Sequence, residues 1–292
     1  MANLKEVRLR IASVKSTQQI TKAMKMVSAA KFRRATDAIV QMRPYANKLK
    51  GMLANLSDSV ADMDNVYTQE RELNNVLLVV ITSNRGLAGA FNNSVIKATN
   101  ALIAEKFAEH KTKGKLFIVA VGKKSQDFYS KNGFQVIGNN NELFNKLNFA
   151  NASQIVEQIM EGFAEGKVDH VEMIYNQFKN AAVQIITLEQ LLPLPKAPQD
   201  GSTSKVDYLF EPSKEEIVEE LIPKSIKLQF YKALLDSHAA EHGARMTAMD
   251  KATENAGELL KSLTLQYNQA RQAAITNEIL EIVSGANALA EG

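Results

Sequence analysis

The chain has 292 residues, 45% of them apolar and 23% charged, an ordinary composition for a globular protein. It contains no cysteine, which excludes disulfides, thiol catalysis and thiol switching. No apolar run approaches the roughly 18 residues of a membrane span. The net charge of +3 is unevenly placed: residues 1–50 hold twelve Lys and Arg against Glu6 and Asp37. That is +10 for the first 50 residues and −7 for the remainder. A basic arm on a mildly acidic body seeks an acidic partner. The basic first twenty residues have a faint likeness to a transit peptide. Glu6 and the unbroken helical pattern that follows predict mature structure instead.

Residues 3–57 predict one helix. A single heptad register runs through it, from Leu4, Val7, Ile11 and Val14 to Phe32, Ala35, Ile39, Met42, Ala46, Leu49, Leu53 and Leu56. The polar entries Gln18, Thr21, Lys25 and Ser28 fall together, while an apolar stripe shifts sideways to Ile20, Met24 and Val27. The break predicts that the helix there faces something besides its coiled-coil partner. Pro44 removes one backbone hydrogen bond and should bend the helix without ending it.

The middle changes rhythm. Residues 76–82 and 116–122 are β-rich, 123–131 helical, 134–137 a third strand and 152–165 a further helix. This βαβα alternation predicts a parallel sheet covered by helices. Residues 168–177 and 181–190 flank Phe178-Lys179-Asn180 and predict an antiparallel hairpin. Residues 193–204 read as a surface loop and 206–210 as one last short strand.

A capping-box pattern at Ser213-Lys214-Glu215-Glu216 opens a second long helix. With one break allowed at Pro223, it continues for roughly 60 residues, about 90 Å at 1.5 Å per residue. Such length predicts a coiled coil. Its seam is Met249, Ala252, Ala256, Leu259, Leu263, Gln266, Ala270 and Ala273, continued in a shifted register by Ile275, Ile279, Ile282, Ala286 and Leu289. The many alanines predict close approach of the partner backbone. Long helices at both ends of one chain can pair antiparallel, with the α/β body between them.

Three stretches suggest chemistry. His238-Ala239-Ala240-Glu241-His242 places two histidines one helical turn apart and could bind zinc with Glu241 as general base. A catalytic zinc needs a third protein ligand and an enclosed cleft. The competing reading, the stronger one, is a chance pairing on an amphipathic helix. Residues 83–92, SNRGLAGAFN, sit between a buried strand and a helix, where a phosphate-binding turn would lie. They lack the three-glycine dinucleotide spacing and any Gly-Lys-Ser/Thr, so a structural turn is the better reading. The basic arm could grip nucleic acid. It has only Phe32 and Tyr45 for base stacking, and its heptad face is committed to a partner helix.

Four stretches together resemble one family: residues 4–35, the turn at 83–92, residues 244–250 (ARMTAMD) and residues 270–288. The last contains Ile-Thr-x-Glu-x-x-Glu-x-x-x-Gly-Ala, from Ile275 to Ala286. The resemblance is to gamma subunits of F-type ATP synthases and covers essentially the whole chain. It implies an antiparallel coiled coil of terminal helices (1–57 and 213–289) on a Rossmann-like α/β base (74–211). It further implies a central rotor shaft without catalytic, cofactor or metal sites of its own. Partners would be alpha, beta and epsilon subunits and the membrane c-type ring, on the cytoplasmic face of a bacterial inner membrane. Met24, Lys25 and Arg245 match positions that meet acidic loops of the beta subunits, and Arg271 and Gln272 match a polar catch. Thr276, Glu278 and Glu281 match positions of helix packing and coupling, and Tyr208, Phe210 and Glu211 match the foot on the membrane ring. The family's common Gly-Leu-Cys-Gly is Gly86-Leu87-Ala88-Gly89 here, which removes a thiol. The cysteine-bearing insertion of chloroplast gamma subunits is absent, so light-linked thiol control is not expected.

Overall fold

A computed structural model describes residues 4–61, 65–195 and 214–291. In chain order the elements are α1 (Leu4–Ala61), β1 (Val76–Ile81), α2 (Phe91–Lys106), α3 (Ala108–Thr112), β2 (Leu116–Val121), α4 (Lys123–Lys131), β3 (Gln135–Val136), α5 (Phe149–Ala164), β4 (His170–Phe178), β5 (Gln184–Leu192) and α6 (Lys214–Glu291). A short 3-10 helix spans Asn141–Asn145. Neither Pro44 in α1 nor Pro223 in α6 ends its helix. The expected break at Pro223 does not interrupt α6, although the proline removes one backbone donor. The chain divides into two compact units, residues 28–245 and the paired segments 1–27 and 246–292.

The larger unit is built on a sheet of order β3-β2-β1-β4-β5. β1 is parallel to β2 and β4, and β2 to β3, whereas β5 returns antiparallel on β4. The alternation of side chains explains why β1, VLLVVI, is apolar throughout: both faces are covered. Leu77, Val79 and Ile81 pack with Val156, Met160 and Phe163 of α5 and Ile222, Ile226 and Phe230 of α6. Val76, Leu78 and Val80 pack on the other side with Val95, Leu102 and Ile103 of α2 and Tyr129 of α4. The start of α5 is fixed locally, because the Asn148 side chain accepts the Asn151 amide at 2.8 Å.

The hairpin departs from the sequence reading. Its turn occupies residues 179–183, and β5 begins at Gln184 instead of Ala181. Asn180 accounts for the shift, since its side-chain oxygen accepts the amides of Ala182 and Val183 at 3.0 and 2.8 Å. That is an Asx-type turn, which holds those residues out of the ladder. The expected strand at 206–210, most of the expected loop and Ser213 of the capping box lie outside the described residues.

In the smaller unit α1 and α6 run antiparallel, with Lys25 opposite Asp250 and Thr21 opposite Thr253. The α1 register holds: Val7 and Thr21 are buried, and Leu4, Ile11, Val14, Gln18 and Lys25 are half-buried. The seam is not broken at its polar entries, contrary to expectation. Polar groups on α6 answer them, with Thr21 and Thr253 hydroxyls 2.8 Å apart and Lys25 Nζ 2.6 Å from Asp250. Ile20 and Val27 stand exposed on the outer side.

The α6 register needs correction at three positions, while Ala252 is half-buried beside Thr253. Met249, Ala256, Leu263 and Ala270 face inward as expected, but Leu259, Gln266 and Ala273 are exposed. Thr253, Leu260, Tyr267 and Ala274 take the inward places, next to or in place of the residues predicted. Beyond Ala274 the shifted continuation fails too: Ile275, Ile279, Ile282, Ala286 and Leu289 are all exposed. Antiparallel pairing sets Leu4 near residue 270, so no described part of α1 reaches that far.

Gly122, between β2 and α4, has a φ of +103°, and an added Cβ would lie 2.3 Å from the Thr82 carbonyl oxygen. Gly122→Ala should therefore destabilise the larger unit by about 3 kcal/mol, backbone strain and overpacking adding together. Denaturant titration of the variant against the parent chain measures it.

Candidate functional site

The most constrained cluster of polar groups lies in the larger unit, where the turn after β1 meets α6. The turn is knotted by its own side chains. Ser83 Oγ donates to the Arg85 carbonyl at 2.7 Å, and the Ser83 amide donates to Asn92 Oδ1 at 2.9 Å. Ala88 and Phe91 are buried against Ala240 of α6, and Asn176 of β4 donates to the Phe91 carbonyl at 3.0 Å. In open α/β sheets ligands bind beyond the strand C-termini, where the strand order reverses. Here that place, between β1 and β4, is filled by Phe91 and α6. The turn is held by its own side chains and packed against α6.

Arg245 completes the cluster. It is 6% exposed. Its guanidinium donates to the carbonyl of Gly86, to that of Arg85 at 3.2 Å, and to Glu241 Oε1 at 2.6 Å. The sequence singled out Arg245 for a partner contact and gave no hint of these internal acceptors, because backbone carbonyls leave no trace in residue identity. A buried ion pair one helical turn apart also removes Glu241 from any role as a free base. His238 and His242 do meet, Nε2 to Nε2 at 3.2 Å. Among the described residues, however, no group of three His, Asp or Glu could hold a metal ion.

At most one of the two histidines can carry a charge, since the Nε2 that accepts must be without its proton. His238 is stacked on Phe144. Burial pushes its pKa down to about 4, and Lys31 adds to the effect. His242 falls further, to about 3, chiefly from burial and then from His238, Lys31 and Arg245. Nearby Asp236 moves the opposite way, up to about 6, because burial outweighs the pull of Lys232 and Arg43.

In the smaller unit Lys25 is engaged by Asp250, and Met24 beside it is half-buried. Exposed Lys5, Arg8, Arg10, Lys15 and Lys22 line the same stretch of α1. Arg271, Gln272, Thr276, Glu278 and Glu281 are all exposed on α6, most of them beyond the paired stretch. The Thr276 hydroxyl turns back to the Gln272 carbonyl at 2.9 Å. Tyr208, Phe210 and Glu211 lie outside the described residues. No helix among the described residues is long and apolar enough to cross a membrane.

Comparison with known proteins decides the family. The family model for ATP synthase matches residues 3–289. The ATP synthase gamma chain of Cytophaga hutchinsonii is 58% identical over 293 residues, covering 99% of each chain. This chain belongs to the ATP synthase gamma chain family. Solved structures agree in fold. A chain of the Euglena gracilis mitochondrial ATP synthase, in an OSCP/F1/c-ring structure, superposes with a TM-score of 0.70 at 22% identity, covering 98% of this chain and 94% of that one. A chain of the Tetrahymena thermophila mitochondrial ATP synthase central stalk and c-ring gives 0.57 at 27% identity, covering 80% and 99%. As a gamma chain it is a central-stalk subunit of the F-type enzyme, and the zinc-hydrolase and nucleic-acid alternatives find no support.

The buried titratable groups predict an acid-side weakness. Unfolded histidines take up protons below about pH 6.5, whereas folded His238 and His242 resist down to about 4 and 3. Their contribution is thus complete above pH 6.5 and is lost as the pH falls. Asp236 works in reverse, its contribution present at low pH and lost as pH rises through about 6. Two histidines outweigh one aspartate. The melting temperature of the purified chain should fall between pH 6.5 and 4.5, and His242→Gln should flatten that slope.

Proposed function

We propose that this gamma chain is the turning shaft of the assembly, a subunit without catalysis of its own. Ion flow through a c-type ring turns it, and its rotation drives conformational change in the catalytic beta subunits. The observation that carries this reading is 58% identity to a gamma chain over 99% of both sequences. The apolar end of α6, exposed at Ile275, Ile279, Ile282 and Leu289, supports it, since such a surface calls for other chains to enclose it. Alpha and beta subunits would surround that end. Epsilon and the ring would meet the α/β base through Tyr208, Phe210 and Glu211. The complex would sit peripherally on the cytoplasmic face of a bacterial inner membrane.

The mechanism is mechanical. An asymmetric shaft presents a different side to each catalytic subunit, and each rotational position favours one binding state over the others. A shaft shifts a site's equilibrium only by as much as it binds the competing states differently. The exposed basic residues of α1 give one side a charge the other lacks. Met24, Lys25 and Arg245 would bear on acidic loops of the beta subunits, Arg271 and Gln272 on a polar catch higher up. Thr276, Glu278 and Glu281, exposed beyond the paired stretch, would transmit the contact by packing against the enclosing subunits.

Alpha and beta subunits should co-purify with a tagged copy of this chain, and the isolated chain should not hydrolyse ATP. Failure of both subunits to follow it, or hydrolysis by the chain alone, would refute the reading. The Lys25–Asp250 pair is substantially exposed, so Lys25→Ala should cost the free chain less than about 1 kcal/mol. In the assembled enzyme the same substitution should lower ATP-driven ion pumping relative to hydrolysis, as vesicle pumping assays would register.

A further inference from the structure

At the opposite end of the sheet from the turn after β1, a cavity of about 280 Å³ lies between the end of α2 and the start of β4. Its walls are Leu73, Lys106, Phe107, His170, Glu172 and Gln190. His170 and Glu172 are alternate residues of β4, so both side chains stand on the same face of the strand. Beside them the ladder to β5 slips by one residue, Val171 facing Leu192 and Glu172 facing Gln190. Irregularities of this kind gather next to sites, where they re-aim a side chain.

Glu172 is the unusual member. It is 8% exposed, and the nearest cationic group among the described residues is His170 Nε2, 3.6 Å from its carboxylate. That distance is too long for a hydrogen bond. A carboxylate taken so far out of water is costly unless something pairs with it. A proton on His170 would answer its charge, but a charge-assisted hydrogen bond draws its atoms to roughly 2.7–2.9 Å. Phe107 packs on the imidazole, with ring centroids 5.9 Å apart, and keeps it beside the carboxylate.

The separation suits an ion between the two groups. With bonds of about 2.0–2.2 Å from nitrogen and oxygen, donors 3.6 Å apart subtend about 120° at a metal, close to tetrahedral. We propose that His170 and Glu172 bind an exchangeable divalent transition-metal ion of the zinc type, with water in the cavity completing its coordination. No third His, Asp or Glu among the described residues joins them, so the ion is held in the micromolar range and is no permanent structural centre. Lys106 in the cavity wall repels cations, which disfavours Mg²⁺ and Ca²⁺, ions that prefer carboxylate and water. An imidazole nitrogen selects zinc, copper or nickel instead. The bound ion ties His170 to Glu172 across the start of β4 and supplies the partner that the buried carboxylate lacks.

Calorimetric titration of the full chain with zinc chloride tests this, with magnesium and calcium chloride as controls. Zn²⁺ should bind in the micromolar range. Glu172→Gln and His170→Asn should each weaken it by at least the roughly tenfold that loss of an outer-shell partner costs. His242→Gln, which removes the other histidine pair, should leave that affinity unchanged. Hydrogen exchange at the amides of residues 170–172 should slow when Zn²⁺ is added. Absence of micromolar binding, equal binding of Mg²⁺, or affinity unchanged in either β4 variant would overturn the proposal. So would affinity lost with His242→Gln, which would place the ion at the other pair. Should a β4 variant fail to fold, exchange in the parent chain decides: slowed amides at 170–172 uphold the site, and unslowed ones overturn it.

Discussion

Close approach to α6 is the constraint on which each unit depends, and small residues on that helix make it possible. In the larger unit Ala239 and Ala240 are fully buried, and a Cβ on Gly243 would come 3.1 Å from the Ala181 carbonyl and 3.4 Å from the Phe32 ring. In the smaller unit Ala256 is buried, and a Cβ on Gly257 would sit 3.0 Å from the Gln18 amide. At such separations side chains of ordinary size have no room, and the contact is made by backbone and short polar groups. Thr21 and Thr253 hydroxyls meet within the α1–α6 seam beside these small residues, and the exposed Lys25–Asp250 pair flanks it. Polar pairs also fix which residues stand opposite each other, a specification that a uniformly apolar seam leaves loose.

The α/β base uses the same helix differently. Ile222, Ile226 and Phe230 of α6 complete one face of the sheet, and Ala240 closes the crevice at its strand ends. The place where a doubly wound sheet elsewhere opens a ligand site is thereby filled. The turn after β1 is packed against that filling through Ala88 and Phe91.

Much of this was legible in the residues. Both faces of β1 are covered, so its run of six apolar residues announced a buried parallel strand. Lys123–Lys131 is delimited by Gly122 and Asn132, and its helix fell where expected. The α1 heptad survived even through its polar block. The α6 register did not, because Ala252 stands beside Thr253, Leu259 beside Leu260 and Ala273 beside Ala274, each neighbour equally fit for an apolar seam. The Thr21 hydroxyl and the Gln18 side chain meet Thr253 across the interface, contacts supplied by the tertiary partner. The internal acceptors of Arg245 could not be read from the sequence, since two of them are backbone carbonyls that belong to the fold and to no side chain. The start of β5 was missed because a single Asn180 oxygen captures two amides that the strand would otherwise have used.

The last stretch of α6, past Ala274, carries one further implication. A helix of that length alone in water is marginal, because closing its first turn is the unfavourable step and each later residue adds little. Here the paired segment before it has already closed that turn, so helical order spreads outward from residue 274 and weakens toward Glu291. This end thus joins weak helical propensity in isolation to exposed apolar side chains, with Ile282 71% and Leu289 86% exposed. In a free chain this end keeps its large apolar side chains in water, a surface of the kind that favours association.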